Sequence, residues 1–535
     1  MKILLIYPEY PDTFWSFSKI LNLIDRKAIF PPLGLLTVAS MLPEEWEKKL
    51  IDHNVHDLTD VNLNWADMVF ISAMIVQQDD VHSILRRCEE LNKTVVVGGP
   101  LFSAMHEDFE GLGIDHFVLD EAEITLPIFL RDLEEGKAKH IYRTSEHPEI
   151  TKTTIPMWSL IDFKDYYSAL VQYSRGCPFN CEFCDIIVMN GRVPRTKAPE
   201  QIIDELQTIY DLDYRGLLFF VDDNFIGNKR KTKVLLPKII KWQQEHDYPF
   251  HFLTESSINL SQDEDLMDLM GEANFRNVFI GIETPSTDSL KECGKNQNTK
   301  IDLVESIKTI QAHGMQVMGG FILGFDNDPD DIFDVMIDYI QKTGIVVAMV
   351  GLLYALPGTR LWYRVKEEGR LIPGVGTGEN TDAVTNINPL MGMEKLVTGY
   401  FRVLKSIYNP NNYYKRIETL LENLKPNQIV SGWGANGGKA KIGLNVSQQE
   451  WKIFFRVVNE IVLKSHNRFR FLKLMGSILW KRPDLVNAAV ELVIYGHHFE
   501  KIMKKVVKNR PDTKDLPIQP KPVKIPVKSV EITVF

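Results

Sequence analysis

The 535-residue sequence predicts an α/β protein with two successive parallel-sheet units and a helical region after them. Short apolar runs alternate with helical patterns over residues 1–140, and again over residues 166–370. Beyond residue 370 the apolar residues instead recur every three or four positions, which is typical of helices. A chain of this length is too long for one ordinary core, so several domains are expected.

The composition indicates a folded protein of the cell interior. Hydrophobic residues make up 44% of the chain and charged residues 25%, as in globular proteins. The formal net charge of −10 at pH 7 argues against nucleic acid as a partner. The apolar run at residues 1–7 is too short for a signal peptide, and the stretch 345–356 is shorter than the ~20 residues of a spanning helix. We therefore expect a soluble, cytoplasmic protein and leave surface contact with a membrane open.

Residues 1–140 are expected to form one parallel sheet with helices on both faces. Helical patterns such as that at 33–42 separate the strand-like runs. Ligands of such sheets bind beyond the carboxyl ends of the strands, where Ser72, Gly98 and Gly99 lie. The two glycines would allow a large ligand to approach the backbone, although they could equally form a turn. The predicted strands are 2–7, 49–52, 68–72, 94–97 and 116–119.

Residues 141–165 are polar and irregular, and we expect them to be a linker. The strand–helix units over 166–370 then predict an incomplete (β/α)6 barrel, whose chemistry should gather at the carboxyl ends of the strands. Ser261 and Glu264 have the spacing of a capping box at the start of a helix. The predicted strands are 169–173, 217–221, 250–254, 278–282, 317–323 and 345–353.

Polar side chains follow several of the predicted barrel strands. Asp222-Asp223-Asn224 ends the second strand, Glu255 ends the third and Glu283 ends the fourth. Any one of these residues could cap the helix that follows it, because Asp and Asn favour such positions. A cysteine-rich loop follows the first strand, at the same mouth of the barrel. The convergence of carboxylates on that loop favours a binding site.

Three of the five cysteines, Cys177, Cys181 and Cys184, have the spacing C-x3-C-x2-C. Three thiolates this close cannot all pair as disulfides, whereas they can bind three irons of a [4Fe–4S] cluster and leave the fourth iron open. Pro178 and Asn180 suit the tight loop that such binding requires. The alternatives are a zinc site without its fourth ligand and buried structural cysteines. Zinc motifs normally contain a second pair of ligands, and none is visible.

With Phe183 before its last cysteine, the motif resembles the signature of the radical S-adenosylmethionine (SAM) enzymes. In that family SAM binds the open iron, and an electron cleaves it to a 5'-deoxyadenosyl radical. The resemblance implies that Asp222-Asp223-Asn224 binds the methionyl amino group and that Phe183 lies against the adenine. It also implies that Glu255 and Glu283 contact the ribose or the methionine. An electron donor such as flavodoxin or ferredoxin would be a partner.

The N-terminal unit resembles the cobalamin-binding domain of one large radical SAM subfamily. Two segments match sequence motifs that recur in that domain: Pro31-Pro32-Leu33-Gly34-Leu35 and Val97-Gly98-Gly99-Pro100. The resemblance implies cobalamin as a cofactor, with Ser72, Gly98 and Gly99 beside it. The D-x-H-x-x-G signature, whose histidine is the lower ligand of cobalt, is absent. His53 and His56 lack its spacing, and we expect each to be a surface or hydrogen-bonded histidine.

Residues 371–510 are expected to form a helical domain. One apolar stripe lies at 396–407 and another at 451–461, and such stripes are more often core than a surface for substrate. This extension resembles the one in hopanoid C-methyltransferases, as do the segments 11–17, 221–229 and 400–408.

Near the C-terminus, Lys501, Lys504, Lys505, Lys508 and Arg510 form a basic stripe. Such a stripe is usually a solvated helix face, but it could hold a lipid-modifying enzyme to an anionic membrane. Prolines recur in residues 511–535, which we expect to be an extended tail.

These observations predict a cobalamin-dependent radical SAM methyltransferase that methylates an unactivated carbon of a hopanoid, another terpenoid or another lipid. An unactivated C–H bond offers no acidic proton, so the cofactors must supply radical chemistry. The alternative enzyme is a cyclase or oxidoreductase that acts on a lipid or tetrapyrrole without methyl transfer. A non-catalytic cobalamin or iron–sulfur sensor would lack the SAM-site carboxylates, and Asp222, Asp223 and Glu283 are present.

Overall fold

The computed structural model describes residues 1–374, 376, 379, 381–424, 456, 459–460 and 467–508. Arg510, the predicted tail 511–535 and most of the predicted stripe at 451–461 lie outside the described residues. Within the described part of the chain, two parallel sheets and then a group of helices follow one another. The predicted fold class is thereby confirmed.

The N-terminal sheet is parallel throughout. Its strands in the described residues are β1 (Lys2–Tyr7), β2 (Glu47–Asp52), β3 (Met68–Ser72), β4 (Thr94–Gly98), β5 (His116–Val118) and β6 (Ile141–Tyr142). Their spatial order is β2-β1-β3-β4-β5-β6, so the direction of winding reverses between β1 and β3. Such a reversal opens a crevice at the carboxyl ends of the strands, where ligands of this kind of sheet bind. Strand β6 lies inside the segment that we expected to be a linker.

Helices cover both faces of this sheet, because successive strand residues point to opposite faces and are apolar on both. Leu4 and Ile6 of β1 join one core, while Ile3 and Leu5 join another that includes Leu35 of the second helix. All four of these β1 residues are fully buried. The helices are α1 (Ser18–Leu21), α2 (Leu33–Met41), α3 (Asp60–Trp65), α4 (Gln78–Glu90), α5 (Pro100–Met105) and α6 (Ala122–Glu134).

The second sheet is the predicted incomplete barrel. Its strands in the described residues are β7 (Ser168–Val171), β10 (Gly216–Phe220), β11 (Phe250–Ser256), β12 (Phe275–Glu283), β13 (Gln316–Leu323) and β14 (Ala348–Leu352). They are parallel and pair in chain order from β7 to β14, and these two edge strands do not pair with each other in the described residues. Between β7 and β10, β8 (Ser174–Arg175) and β9 (Arg195–Thr196) form an antiparallel ribbon.

Helices cover the outer face of the barrel. The predicted capping box at Ser261 is wrong: α10 begins at Glu264, and Asp263 caps it by accepting a hydrogen bond from the Leu266 N–H at 3.3 Å. Ser261 instead donates its hydroxyl to the Ile258 carbonyl at 2.9 Å. The helices are α7 (Ile186–Met189), α8 (Pro199–Asp211), α9 (Lys229–Glu245), α10 (Glu264–Glu272), α11 (Thr287–Glu292), α12 (Leu303–Ala312), α13 (Ile332–Thr343) and α14 (Arg360–Glu367).

The C-terminal helices pack on the barrel and on the chain that precedes α2. The predicted stripe from Leu396 to Ile407 lies on α15 and is buried. At the other end of this region, Phe499 stacks on Phe14 with a ring distance of 4.4 Å. The described helices are α15 (Met393–Ile407), α16 (Pro410–Asn423), α17 (Arg468–Lys481) and α18 (Val486–Lys508). None of the helices in the described residues has the length and apolarity needed to span a membrane.

Candidate active site

A glycine turn brings the cysteine loop to the end of the barrel sheet. The loop runs from Cys177 to Cys184, between strand β8 and helix α7. Gly176 precedes it with φ of +93°, a conformation that other L-residues rarely adopt. A Cβ atom there would lie 2.9 Å from the carbonyl oxygen of Gly191. The backbone turn that leads into the cysteine loop therefore requires glycine at position 176.

Three free thiols occupy this loop. Cys181 is 7% exposed, and Cys177 and Cys184 are half-buried. Burial raises the pKa of each thiol; that of Cys184 rises to about 12, with Asp185 and the other two thiols adding to the effect. Three thiols that interact electrostatically without a disulfide fit a [4Fe–4S] cluster, whose irons stabilise the thiolate form. No trio of His, Cys, Asp or Glu side chains in the described residues is placed to hold a single metal ion.

The two remaining cysteines lie in different surroundings. Cys88 is buried on α4, in the core of the N-terminal sheet. Cys293 follows α11 and is also buried, but its carbonyl oxygen accepts the Glu182 N–H at 2.8 Å. The segment that carries Cys293 therefore packs directly against the cysteine loop, although 109 positions of sequence separate Cys293 from Cys184.

Asp222, at the end of β10, holds the ribbon in place. It is 1% exposed, and burial raises the pKa of its carboxyl to about 7. One carboxylate oxygen accepts the backbone N–H and the hydroxyl of Ser174, and the other accepts the Tyr173 N–H at 3.1 Å. Both oxygens are thus bonded to the segment that leads into the cysteine loop. The geometry indicates a positioning residue.

Asp223 and Asn224 lie against the cysteine loop itself. Asp223 is half-buried, and its Oδ2 accepts the Gly176 N–H at 2.7 Å and the Asn190 amide at 3.1 Å. The amide nitrogen of Asn224 lies 3.8 Å from the sulfur of Cys177 and 3.2 Å from the hydroxyl of Ser257. Of the two adjacent aspartates, Asp223 is therefore the one that lies directly beside the loop and is open to a ligand there.

If Asp223 binds the methionyl ammonium, as the resemblance implies, Asp223→Asn should weaken SAM binding by about 10- to 100-fold, because that charge-assisted bond would be lost while an oxygen remains for Gly176. Asp222→Asn is the matched control. It should lower the free energy of unfolding by about 1–3 kcal/mol, because an amide NH2 would face a backbone N–H. SAM titration and denaturant unfolding of both variants measure the two effects. Equal losses of SAM affinity with unchanged unfolding energies would contradict this division of roles.

Glu255 and Glu283 end neighbouring strands but differ in their partners. Glu283 has φ of +65° and forms a buried ion pair with Lys295. Burial opposes the charge of Lys295, but Glu283 and then Cys181 raise its pKa above the ordinary value. Burial raises the pKa of Glu255 to about 8, and Asp223 and Asp222 add to this shift. Glu283 thus faces a cation, whereas the pKa of Glu255 is raised by burial and by neighbouring carboxylates.

Phe183 packs against a buried cluster that includes Cys293, Phe325 and Leu361. It is half-buried, and its ring centroid is 6.4 Å from that of Phe325, which follows β13. The neighbouring Glu182 accepts a hydrogen bond from Arg364 at 2.8 Å, and Arg364 also donates to Asp326 at 2.8 Å. These contacts anchor the loop to α14 and to the end of β13.

Ser72, Gly98 and Gly99 line a cavity of about 320 Å³ at the carboxyl ends of the N-terminal strands, which we call the N-terminal cavity. Gly99 has φ of +87°, and a Cβ atom there would overlap the hydroxyl of Ser72. Gly34 of α2 also lines the cavity, and a Cβ atom at this position would meet nothing within 4 Å. The open space beside glycine backbone is what a large planar cofactor requires. Other lining residues include Leu33, Thr37, Val97, Glu121, Glu123, Arg175 and Asn190.

The two N-terminal histidines behave as the sequence predicts. His53 Nδ1 lies 2.7 Å from the carboxylate of Asp80, and His56 lies 3.7 Å from that of Asp165. Neither histidine lines the N-terminal cavity. Both are hydrogen-bonded or paired with a carboxylate near the surface.

Arg175 joins the N-terminal cavity to the cysteine loop. Its guanidinium donates to Glu121 and to Glu123, each at 2.7 Å, and Arg195 of β9 donates to Glu121 at 2.7 Å. Burial opposes the charge of Glu123, but Arg175 lowers its pKa. Removing one partner of such a buried pair costs about 3–5 kcal/mol, because an unpaired charge remains. Since Arg175 directly precedes Gly176, this network fixes the loop relative to the N-terminal sheet.

A second cavity, of about 560 Å³, lies between the N-terminal strand ends and the barrel interior; we call it the central cavity. Trp15 lines it, donates its ring N–H to the sulfur of Met349 at 3.1 Å, and lies 5.7 Å from the Phe279 ring. Glu255 supplies a carboxyl group on the barrel side. Ser72 lines the N-terminal cavity and Met74 the central cavity, so the end of β3 lies between the two. Other walls are mostly apolar and include Phe30, Phe219, Leu253 and Met318.

Sequence reasoning missed Lys295, Arg175 and the walls of the central cavity. Arg175 is adjacent to the cysteine motif, and this position is the one available sign of its role. Lys295 and Met349 show no pattern of their own, because they reach the site from distant loops and strands.

Family models match two parts of the chain that the structure places around these cavities. The model described as the B12 binding domain matches residues 20–130, and that of the radical SAM superfamily matches residues 171–340. A domain of unknown function, DUF4070, matches residues 359–511.

Two relatives match almost the whole chain. An uncharacterized methyltransferase of Synechocystis sp. is 42% identical over 93% of this chain and 91% of its own length. The hopanoid C-2 methylase of Rhodopseudomonas palustris is 31% identical over 93% of this chain and 92% of its own length. The chain belongs to the cobalamin-dependent radical SAM methyltransferases. This membership confirms the family that its motifs predicted.

Solved structures of cobalamin-dependent radical SAM proteins share the fold of this methyltransferase. OxsB with aqua-cobalamin bound covers 95% of the chain with a TM-score of 0.59 and 15% identity, and 80% of OxsB is covered in turn. TsrM from Kitasatospora setae, with cobalamin and a [4Fe–4S] cluster bound, covers 90% of the chain with a TM-score of 0.57 and 15% identity; 99% of TsrM is covered.

The methyltransferase therefore uses the three predicted cofactors, which are a [4Fe–4S] cluster, SAM and cobalamin. It is a radical SAM C-methyltransferase that acts on a small molecule. The alternative of a non-catalytic sensor is thereby set aside.

Proposed function

We propose that this enzyme methylates an unactivated carbon of a polycyclic terpenoid lipid of the hopanoid kind. The observation that carries the proposal is the central cavity, whose walls are mostly rings, sulfurs and aliphatic side chains, with charged groups such as Glu9, Lys27 and Glu255 among them. Such walls suit a rigid apolar substrate, which loses little conformational entropy on binding. The 31% identity to a hopanoid C-2 methylase supports the same substrate class.

Within this proposal, Cys177, Cys181 and Cys184 hold the cluster. Ser72, Gly98 and Gly99 form the surface against cobalamin. The candidates for contact with SAM are Asp223, Asn224, Glu255, Glu283 and Phe183. When bound, the cluster and SAM supply a radical that can remove a hydrogen atom from an unactivated carbon, and cobalamin supplies the methyl group.

The chain itself excludes water from the reacting carbon and fixes the substrate. Trp15 closes the central cavity from the N-terminal segment, and its contacts with Met349 and Phe279 hold the indole against the barrel strands. The neighbouring Phe14 is held by Phe499 of α18. The C-terminal helices thus support the wall of the cavity, which explains why a helical extension follows the barrel.

We expect SAM binding to become tighter between pH 6 and pH 8. The pKa of Glu255 is raised to about 8, so its carboxyl is protonated below that pH without SAM. A cationic ligand favours the carboxylate, so binding must release this proton, and affinity can rise by up to about tenfold per pH unit. Calorimetry in buffers of different ionisation enthalpy measures the proton release. The same pH dependence in Glu255→Gln would contradict the assignment.

The electron donor and the membrane belong to the same proposal. The cluster must receive one electron per SAM cleaved, and we propose flavodoxin or ferredoxin as its source. A polycyclic lipid resides in a bilayer, so the enzyme must meet a membrane surface to collect its substrate.

Anaerobic incubation of the reconstituted enzyme with purified hopanoids tests the substrate class. The proposal requires a product that is heavier by one methyl group, and deuterated methyl-SAM should label it. A matched incubation with a tetrapyrrole provides the comparison. A product that has lost hydrogen without gaining a methyl group would favour the cyclase or oxidoreductase alternative.

A further inference from the structure

Helix α17 presents an exposed apolar stripe. Its inner face buries Leu474 and Ile478. On the opposite face Phe469 is 71% exposed and Trp480 is 88% exposed, and Leu472 and Leu479 lie between them with 55% and 60% exposure. At 100° per residue, these four side chains fall on one side of the helix. Single exposed apolar residues are ordinary, but a contiguous stripe marks an interaction surface.

Cations border this stripe. Arg468 and Lys473 lie at its two edges, and Lys481 follows Trp480; all three are exposed. The guanidinium of Arg468 lies 5.0 Å from the Phe469 ring centroid. The chain as a whole carries a formal net charge of −10, so this positive rim contrasts with the rest of the molecule. An apolar face with aromatic residues and flanking cations is typical of helices that lie in a membrane interface.

The stripe is connected to the central cavity through α18. Helix α17 packs on α18, and Asn467, just before α17, donates to Glu500 of α18 at 3.0 Å. Phe499 of the same helix stacks on Phe14, which lines the central cavity. A surface on α17 therefore lies one helix away from the wall of the proposed lipid site.

We propose that α17 docks the enzyme on an anionic lipid bilayer. The four apolar side chains would enter the boundary between headgroups and acyl chains, and Arg468 and Lys473 would contact lipid phosphates. This inference rests on the proposed lipid substrate. A second copy of the chain fits this face less well, because a two-fold contact would bring the two positive rims together.

The basic stripe predicted on the last helix is less suited to this role. Lys504 lies 2.7 Å from the carboxylate of Glu500, and Lys505 lies 3.5 Å from that of Asp12. Two of the four described lysines of this stripe are thus paired within the chain. No apolar residue of α18 is exposed to the degree of Trp480 in the described residues.

Sedimentation of the full-length, reconstituted enzyme with phosphatidylcholine vesicles, with and without phosphatidylglycerol, tests the docking surface. We expect binding to anionic vesicles that weakens with salt. Leu472→Gln combined with Trp480→Gln should reduce the partition coefficient by about tenfold or more. Arg468→Gln combined with Lys473→Gln should reduce it by about 10- to 30-fold on anionic vesicles only.

The matched control is Val61→Gln combined with Leu390→Gln, which alters apolar residues of 78% and 65% exposure elsewhere. It should bind vesicles as the unaltered enzyme does. Failure of the unaltered enzyme to bind anionic vesicles would overturn the proposal, as would full binding by the two α17 variants. A dimer that is lost in Leu472→Gln/Trp480→Gln, without vesicle binding, would assign the stripe to a second copy instead.

The vesicle assay contains no substrate, so its result does not depend on whether the enzyme methylates a lipid. Vesicle binding through α17 without methylation of any lipid would leave the docking surface in place and reject the lipid substrate. Methylation of a hopanoid in detergent, without vesicle binding, would reject the docking surface alone.

Discussion

Replacing any one of Cys177, Cys181 and Cys184 with alanine is expected to abolish SAM cleavage. Each thiol is one of three protein donors on a single loop, and alanine offers no replacement. Two remaining thiols would hold a cluster poorly. Iron content, absorbance of the anaerobically reconstituted protein and formation of 5'-deoxyadenosine measure the effect.

Cys88→Ala and Cys293→Ala are the matched controls, since both residues are buried cysteines outside the loop. Each should keep full iron content and lose only a modest amount of stability, of about 1 kcal/mol. Cys293 is the more demanding control, because its segment contacts Glu182 of the cysteine loop. Full iron content and activity in Cys181→Ala would contradict the assignment, and loss of iron in Cys293→Ala would identify a fourth ligand.

Gly34→Phe is expected to abolish methyl transfer while SAM cleavage continues. Gly34 lines the N-terminal cavity, and a Cβ atom there would meet nothing within 4 Å, so we expect a phenylalanine ring to occupy part of the cavity. Gly34 is the second residue of α2, and phenylalanine has a higher helix propensity than glycine, so the helix should tolerate the change. Cobalamin should therefore be excluded while the cysteine loop stays intact. Cobalt content after gel filtration measures the loss of cobalamin, and 5'-deoxyadenosine formation measures the SAM cleavage that remains.

Gly476→Phe provides the matched control for this variant. Gly476 also lies in a helix, and a Cβ atom there also meets nothing within 4 Å, but it does not line the N-terminal cavity. It should retain cobalamin and 5'-deoxyadenosine formation. Unchanged cobalt content in Gly34→Phe would show that cobalamin does not occupy this cavity.

The strands could be predicted because parallel strands are buried on both faces and so appear as unbroken apolar runs. Strand β1 has the predicted bounds, Lys2–Tyr7. Strand β6 has only two residues, which is too few for any pattern. The prediction of a capping box at Ser261 was wrong, because Asp263 lies closer to the start of α10 and competes for the same N–H groups.

The site could be predicted only in part. The residue types and spacing of the cysteine loop identify it, but adjacent side chains at a strand end point in different directions. Asp222 therefore faces Tyr173 and Ser174, whereas its neighbour Asp223 faces Gly176. Sequence alone does not distinguish the two roles.

The periodicity of apolar residues also does not show whether a helix face is buried against other elements or exposed to solvent. The apolar residues of α15 and those of α17 recur at similar spacing, yet Leu396 is 1% exposed and Phe469 is 71% exposed. The central cavity shows the same limit, because Trp15, Phe279 and Met349 come together from distant parts of the chain. Such contacts depend on the packing of whole domains rather than on local pattern.

The ratio of the two SAM products tests the central claim most directly. The purified, cobalamin-loaded enzyme is incubated anaerobically with deuterated methyl-SAM, a reductant and substrate. If cobalamin carries the methyl group, one SAM gives 5'-deoxyadenosine and a second gives S-adenosylhomocysteine, so the two should accumulate about equally while the product gains the label. A label-free product formed with 5'-deoxyadenosine alone would contradict methyl transfer by this enzyme.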